Sequence, residues 1–194
     1  MSNKYIDSTF LDKAIIFAVK AHANTERRSK GFPYIVHPLE AVSIVATITP
    51  DQEILAAAAL HDTVEDTDVT LEDLRAEFGD RVAKLVEEES DANIPGFSKD
   101  LEWKVRKQMA LDRLANVERD AKIVAMGDKL SNMRAMARDY REIGDKLWDR
   151  FHAPNGRADH CWRYHALADA LSELADTEAY KEFVRLVEEI FPVN

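Results

Sequence analysis

A histidine and three carboxylates lie at the end of an apolar helical segment. Residues 54–60 are all apolar, and they lead directly into His61, Asp62, Glu65 and Asp66. At about 100° per residue on an α-helix, these four side chains span an arc of roughly 140° on one face. Carboxylates crowded near a helix C-terminus repel one another and the helix dipole. A solvated acidic helix end would tolerate this repulsion, and a bound cation would relieve it.

Two further residues can join His61 and Asp62. His37 opens a predicted helix after the run PYIV, and Asp128 interrupts the apolar helix KIVAMGDKL. Either one alone is more typical of a helix cap or of a buried polar group with a partner. Together the four residues supply two imidazoles and two carboxylates, a mixed nitrogen and oxygen donor set that suits Mn²⁺ or a similar divalent ion. Such a site leaves coordination positions for water and substrate.

These residues occur in longer motifs that resemble a known family. The pattern His37…His61-Asp62…Asp128 resembles the HD phosphohydrolase superfamily, which holds a divalent metal with it. The segments PYIVHPLEAV, AALHDTVEDTDVT, EFGDRVAKLVEE, WKVRKQ and GDKLSNMRAM are similar to the hydrolase domain of the RelA/SpoT alarmone enzymes. More narrowly, they resemble the stand-alone small alarmone hydrolases, similar to metazoan SpoT homologue 1. The resemblance runs in order from about residue 10 to residue 140.

The resemblance implies a Mn²⁺-dependent enzyme that hydrolyses (p)ppGpp at the ribose 3′ position and releases pyrophosphate. The metal ligands of the family are matched by His37, His61, Asp62 and Asp128. Its acidic pair, which is proposed to position and activate the attacking water, is matched by Glu65 and Asp66. A metal lowers the pKa of its bound water, and a nearby carboxylate can take the proton, so this assignment is chemically sound. The alternative for the acidic pair is to orient the metal ligands.

The nucleotide contacts implied by the resemblance lie first in the loop ERRSKG. This loop matches the basic loop of the family imperfectly, because its lysine, Lys30, is displaced. Counting from Tyr34 places Arg28 at the arginine that stacks on the base, whereas counting from His22 favours Arg27. A guanidinium can stack on a purine face and also face a phosphate, so either arginine suits the role. A solvated surface arginine is the alternative for each.

Other nucleotide contacts are less specific. Asn132, one turn after Asp128, aligns with an asparagine that contacts the nucleotide in the family; a polar group on a helix face is the alternative. Trp162 and Tyr164 could line a purine pocket, although aromatic residues at helical spacing more often belong to the core. A basic run beside Trp103 could attract phosphate or form a solvated helix face; it consists of Lys104, Arg106 and Lys107.

Three other functions remain open at this point. The same chemistry on adenosine alarmones, (pp)pApp, would require only a different base edge in the pocket. Removal of the 2′-phosphate of NADPH is a further possibility within the family. A catalytically silent alarmone-binding module belongs to a different class, and the intact acidic pair and the four ligand positions argue against it.

The elements that must position these residues are predicted to be helices. Pro38 suits a helix start, and Asp51 can cap the helix that follows Pro50. Thr70 caps a short helix that Gly79 ends, and residues 90–100 form an internal loop. Longer helices are predicted at about 101–115, 118–139, 157–175 and 177–191. The predicted fold is all-α, a single compact HD-type domain over residues 1–194, with a motif-bearing core at about 10–140 and C-terminal helices at about 141–192.

Composition restricts the partners. The chain has 194 residues and a net charge of −10, and such an acidic surface repels polyphosphate backbones, so a nucleic-acid polymer is not expected. The N-terminal segment MSNKYIDSTF lacks the apolar core of a signal peptide, and the longest uncharged stretch, residues 41–50, is too short to span a membrane. We therefore expect a cytoplasmic protein with a small nucleotide substrate. The sequence leaves the oligomeric state open.

Overall fold

The computed structural model describes residues 8–27, 30–90, 96 and 101–192, which form helices joined by short connections. The helices are α1 (Thr9–Ala21), α2 (Val36–Val45), α3 (Gln52–Leu60), α4 (Thr63–Asp66), α5 (Leu71–Phe78), α6 (Asp80–Glu89), α7 (Trp103–Asn116), α8 (Arg119–Ile143), α9 (Arg157–Ala170) and α10 (Glu178–Ile190). Two 3₁₀ segments are Gly144–Arg150 and Ser172–Leu174. In the described ranges, β pairing is limited to one bridge between Glu26 and Pro33, so the all-α prediction is confirmed.

Local sequence signals set several helix boundaries. The Asp51 carboxylate accepts hydrogen bonds from two backbone N–H groups in the first turn of α3, at 2.9 and 3.4 Å. Thr70 and Asp73 form a capping box at the start of α5. Gly79 ends α5 with a φ of 89°, a backbone conformation that glycine adopts without a steric penalty. These caps agree with the boundaries predicted from the sequence.

Two long helices differ from their predicted lengths. The helix predicted over 118–139 extends to Ile143, where Gly144 stops it with a φ of 58°. The helix predicted over 157–175 ends at Ala170 and is followed by the 3₁₀ segment Ser172–Leu174. Most of the predicted loop 90–100 lies outside the described residues.

The acidic motif does not lie on one continuous helix, which corrects the predicted arc. α3 ends at Leu60, and α4 is a separate turn that begins at Thr63. His61 Nδ1 bonds the carbonyl oxygen of Ala58, and Thr63 Oγ1 donates to that of Leu60. These side chains occupy the carbonyl groups that a continuing helix would use, and such local bonds compete with helical ones. The break separates His61 and Asp62 from the acidic pair that follows.

The core centres on α3 and α8. α3 contacts α1, α2, α6 and α8, and its residues 54–60 are all buried, in agreement with their apolar character on every side. α8 contacts α2, α3, α6 and α10. Within the described ranges, none of the helices combines the length with the hydropathy that a membrane span requires. His61 and Asp62 thus lie at the end of one of these two helices, and Asp128 lies within the other.

α2 and α8 approach each other closely at Gly127. A Cβ atom on Gly127 would lie 2.8 Å from Val45 Cγ2 and 2.9 Å from the carbonyl oxygen of Ala41. Both distances are shorter than real Cβ contacts, so this position requires glycine for space rather than for its backbone angles. His37 lies one turn before Ala41, and Asp128 follows Gly127 directly. The close approach therefore brings His37 and Asp128 together.

Gly127→Ala should destabilise the protein, although alanine is the better helix former. The added methyl group meets a backbone atom that cannot rotate away, so we expect a loss of about 1–3 kcal/mol in the free energy of unfolding. Urea denaturation measures this loss. Arg138→Ala, at an exposed position of the same helix, is the control and should change stability by less than about 0.5 kcal/mol. A Gly127→Ala protein of wild-type stability would contradict the packing constraint.

The buried side chain of His160 should make the fold sensitive to acid. The ring lies among Trp103, Trp148 and Phe151, and neither nitrogen has a hydrogen-bond partner among the described residues. Burial lowers the pKa of His160 to about 4, against 6.5 in an unfolded chain. Protons therefore bind the unfolded chain preferentially between these values, and stability falls as the pH drops through this window.

Thermal denaturation of His160→Phe checks this expectation. The variant should lose less stability than the wild type between pH 7 and pH 5, with a difference on the order of 1 kcal/mol. His152→Phe, at an exposed position, is the control and should retain the wild-type pH dependence. Equal pH dependence of His160→Phe and the wild type would assign the acid sensitivity to other groups.

Candidate active site

Three helices bring His37, His61, Asp62 and Asp128 together. His37 lies in the first turn of α2, His61 and Asp62 directly follow α3, and Asp128 lies in the middle of α8. His37 Nε2 is 2.9 Å from Asp128 Oδ1, and His61 Nε2 is 2.9 Å from Asp62 Oδ2. The potential ligand atoms of His37, His61 and Asp128 all lie within 4.8 Å of one another. Asp62 Oδ2 completes the group, 3.5 Å from His37 Nε2.

The orientation of the His61 ring leaves its Nε2 facing this group. Its Nδ1 is 2.8 Å from the carbonyl oxygen of Ala58, which can only accept, so Nδ1 carries a proton. The residue is 1% exposed, and Nε2 has no hydrogen bond of acceptable geometry within the described part of the chain. A buried polar atom without a partner requires an explanation. A divalent cation among two imidazoles and two carboxylates would supply one, so the donor set fits a metal.

The two carboxylates also accept hydrogen bonds from other side chains around them. The Tyr34 hydroxyl donates to Asp62 Oδ2 over 2.5 Å, and the Lys129 ammonium donates to Asp128 Oδ2 over 2.6 Å. The side-chain amide of Asn132 donates to Asp128 Oδ1. Burial alone would raise the pKa of both carboxyl groups. Lys129 and the imidazoles lower the pKa of Asp128 by more than burial raises it, and the imidazoles do the same for Asp62. The pKa values of both carboxyl groups therefore lie below the usual range.

Tyr34, Lys129 and Glu89 contribute to the site although the sequence did not single them out. Lys129 Nζ lies 2.6 Å from Asp128 Oδ2 and 2.6 Å from Glu89 Oε1. Burial raises the pKa of Glu89 to about 7, although Lys129 opposes this shift. The positions of Tyr34 and Lys129 inside the PYIVHP and DKLSN motifs were the available signal. Glu89 carried no such signal in the sequence, because the packing of α6 brings it to Lys129 only in the folded chain.

The structure places the two members of the acidic pair differently. Glu65 accepts a hydrogen bond from Ser90 Oγ over 2.9 Å. It lines a pocket of about 150 Å³ together with His37, Asp62 and Asp128. Asp66 instead lines a larger neighbouring cavity of about 340 Å³. Glu65 is therefore the carboxylate that shares a pocket with the metal-binding group.

The larger cavity collects most of the predicted nucleotide contacts. The guanidinium of Arg27 lies 5.3 Å from the centre of the Tyr34 ring and donates to the side-chain oxygen of Asn132. Lys30 forms an ion pair with Asp139. The cavity is lined by Arg27, Lys30, Tyr34, Asp66, Asn132, Ala135, Met136, Asp139, Leu147, Arg150, Phe151 and Tyr164. Arg28, the alternative to Arg27, lies outside the described residues.

The less specific candidates divide between the site and its surroundings. Tyr164 lines the larger cavity, whereas Trp162 packs against Trp103 with 6.4 Å between ring centres. Within the basic run, Lys107 lines the smaller pocket together with Arg163. The other two members point elsewhere: Lys104 Nζ lies 5.0 Å from the Trp162 ring centre, and Arg106 Nε donates to the carbonyl oxygen of Leu101.

Comparisons with known proteins identify the family of this chain. The HD domain family model matches residues 14–153. Human MESH1, a guanosine-3′,5′-bis(diphosphate) 3′-pyrophosphohydrolase, is 39% identical over 130 residues, which are 65% of this chain and 69% of that protein. A probable guanosine-3′,5′-bis(diphosphate) 3′-pyrophosphohydrolase from Synechocystis is 31% identical over 184 residues. These cover 91% of this chain and 24% of the relative, so the chain spans about a quarter of that protein.

A solved structure has the same fold. It is that of a metazoan ortholog of SpoT that hydrolyses ppGpp, and it matches with a TM-score of 0.75 and 23% identity. The match covers 96% of this chain and 97% of that chain. At this identity the likeness concerns the fold, and it confirms the helical HD-domain architecture.

Tyr34→Phe should weaken metal binding without unfolding the protein. The substitution removes the hydroxyl that orients Asp62 and keeps the ring that packs beside His37. Loss of such an orienting partner typically lowers metal affinity by about 10- to 100-fold. Isothermal titration of the metal-free protein with Mn²⁺ measures the effect. Tyr140→Phe, whose hydroxyl faces Asp145 away from the centre, should bind like the wild type; equal affinities of the two variants would exclude this role for Tyr34.

Proposed function

The chain belongs to the HD domain family, and on that premise we propose that it is a metal-dependent guanosine-3′,5′-bis(diphosphate) 3′-pyrophosphohydrolase. It would convert ppGpp or pppGpp into GDP or GTP and release pyrophosphate. The observation that carries the proposal is the cluster of His37, His61 and Asp128, with Asp62 beside it, in a pocket that four cationic side chains also line, next to a cavity of about 340 Å³. Cavities of this volume lie within the range that small ligands occupy.

Four side chains of this chain would hold the metal. Their ligand atoms would be His37 Nε2, His61 Nε2, Asp62 Oδ2 and Asp128 Oδ1. We assign Mn²⁺, because imidazole and carboxylate donors together suit this ion. When bound, it supplies Lewis acidity to the attacking water and to the phosphoryl group.

The two neighbouring cavities would divide the substrate between them. Cationic side chains line the smaller pocket, so the 3′-pyrophosphate belongs there; they are Arg27, Lys107, Lys129 and Arg163. The larger cavity would take the nucleoside, with Arg27 or Arg28 stacked on the base and Asn132 and Lys30 as polar contacts. Arg27 and Asn132 line both cavities, which supports a role for them where the two parts of the substrate would meet.

Glu65 and Asp66 would handle the attacking water. Glu65 lines the pocket of the metal-binding group, so its carboxylate would accept a proton as the water oxygen attacks phosphorus. The bond from phosphorus to the ribose 3′ oxygen then breaks, and that oxygen takes up a proton to become the 3′ hydroxyl. Asp66, at the larger cavity, would position the substrate and the water beside Glu65.

We further propose that residues 1–194 act as one HD-type domain in the cytoplasm. α9 and α10 pack on each other, and α10 packs on α8, which carries Asp128. Arg150 and Tyr164, which lie C-terminal to the motif-bearing core, line the larger cavity. The C-terminal helices therefore support the same site rather than a separate one.

A substrate panel tests the proposed function. The purified protein is incubated with Mn²⁺ and ppGpp, pppGpp, ppApp, pppApp or NADPH, and the products are separated by ion exchange. We expect pyrophosphate with GDP or GTP, loss of activity after chelation and recovery with Mn²⁺. Faster release from the adenine compounds would replace the guanosine assignment. Phosphate from NADPH alone would indicate a 2′-phosphatase, and binding without turnover would indicate a silent alarmone-binding module.

Glu65→Gln should separate water activation from metal binding. The amide keeps the size of the side chain and can still accept the bond from Ser90, but it cannot take a proton at neutral pH. We expect metal content and melting temperature to stay at wild-type values while turnover falls by roughly 10²- to 10⁴-fold, the usual contribution of general acid–base catalysis. Single-turnover hydrolysis and metal analysis on one preparation measure both quantities.

Glu72→Gln provides the matched control, because Glu72 is an exposed carboxylate on α5 that pairs with Arg75. This variant should retain wild-type turnover. Near-normal turnover of Glu65→Gln would show that Glu65 is not the proton acceptor.

A further inference from the structure

Behind the His37 ring lies a chain of hydrogen bonds that the proposed reaction does not use. His37 Nδ1 is 2.8 Å from Ser131 Oγ, on the side of the ring opposite the metal-binding group. Ser131 Oγ in turn lies 2.8 Å from Glu40 Oε2. Ser131 is 1% exposed, so its hydroxyl is shielded from water.

Chemistry alone assigns the donors in this chain. The Glu40 carboxylate can only accept, so the single hydroxyl proton of Ser131 is donated to it. Ser131 Oγ must then accept from His37, which requires a proton on Nδ1 of the imidazole. The other nitrogen, Nε2, keeps its lone pair for a metal, and it lies 2.9 Å from Asp128 Oδ1.

The register of two helices builds this arrangement. His37 and Glu40 are three residues apart on α2, and Ser131 and Arg134 are three residues apart on α8, so each pair shares a helix face. Arg134 Nη1 lies 3.5 Å from Glu40 Oε1. Arg134 also forms a two-bond pair with Glu182 of α10, at 2.8 and 2.7 Å. Arg134 thus holds the Glu40 carboxylate through Oε1, the oxygen that Ser131 does not bond.

We propose that Ser131 and Glu40 are positioning residues, a relay that fixes the tautomer and orientation of His37 for metal binding. The inference rests on the metal site of the proposed function. Ligating histidines commonly donate their second nitrogen to a carboxylate or carbonyl group, and here a serine hydroxyl transmits the effect of the carboxylate. Neither residue touches the substrate or the metal in this role.

Metal titration of Ser131→Ala tests the relay. Mn²⁺ is titrated into metal-free wild type, Ser131→Ala and Ser43→Ala; Ser43 is an exposed serine of α2 that bonds the Leu39 carbonyl oxygen. We expect Ser131→Ala to bind about 10- to 100-fold more weakly than the wild type, and Ser43→Ala to bind equally well. Absence of binding by the wild type would overturn the metal site and the proposed function. Tight binding by both the wild type and Ser131→Ala would overturn the relay alone.

A double-mutant cycle with Glu40→Ala tests whether Glu40 acts through Ser131. Glu40→Ala should also weaken Mn²⁺ binding, and the double variant should bind within about twofold of Ser131→Ala, because the second substitution removes a bond already lost. If the two substitutions instead weaken Mn²⁺ binding by fully additive free energies, the relay is overturned, since Glu40 would then act through its charge. If Ser131→Ala does not fold, the Mn²⁺ affinity of Glu40→Ala is compared with that of Glu189→Ala. This control variant breaks the pair that Glu189 of α10 forms with Arg141 of α8. Equal affinity of those two variants would overturn the proposal.

Turnover gives an independent readout. Saturating Mn²⁺ should restore the kcat of Ser131→Ala to within about twofold of the wild type, with KM for the nucleotide unchanged, because a positioning residue alters metal affinity rather than substrate contacts. A kcat that stays low in saturating Mn²⁺ would overturn the positioning role.

Discussion

The close contact between α2 and α8 sets the geometry on which the site depends. Gly127 has no side chain, so the backbone of α8 can approach the carbonyl oxygen of Ala41 to a distance that excludes any larger residue. At that separation His37 Nε2 and Asp128 Oδ1 meet at 2.9 Å. Helices in contact are separated by the side chains between them, and a small residue lets them approach more closely. Metal–ligand distances tolerate little variation, so the close packing of α2 against α8 is also a requirement for metal binding.

Charge compensation is the second constraint. Two carboxylates buried together repel each other, and isolated buried charges are costly. The structure places an opposing donor on each: the Tyr34 hydroxyl on Asp62 and the Lys129 ammonium on Asp128. Lys129 bonds Asp128 Oδ2, whereas His37 Nε2 faces the other oxygen of that carboxylate, Oδ1. This arrangement lowers the cost of burying the two carboxylates. It also leaves a concentrated negative charge in the group, which attracts a cation to this acidic protein.

The sequence predicts most of the reactive centre because its residues carry local signals. His37, His61, Asp62 and Asp128 stand out as polar groups inside apolar helices, and the structure brings them together. Contacts that depend on tertiary packing were not predictable in this way, since Glu89 reaches Lys129 only through the packing of α6. The break at His61 escaped the periodicity argument because side chains, rather than apolar spacing, occupy the last carbonyl groups of α3. The end of α8 was predicted at about residue 139, short of its observed end at Ile143, and the 3₁₀ segment that follows was not predicted.

The metal-binding group and the larger cavity are built from different parts of the chain. The reactive centre is formed by α2, α3 and α8, whose side chains are buried and mutually constrained. The larger cavity is completed by Arg150, Phe151 and Tyr164, which lie C-terminal to the motif-bearing core. Substitutions of these residues would alter the shape and charge of the larger cavity, whereas the distances among the ligand atoms are set by α2, α3 and α8. Under the proposed function, base selection would therefore depend on these C-terminal residues as well as on Arg27 and Asn132, while α2, α3 and α8 keep the distances among the ligand atoms.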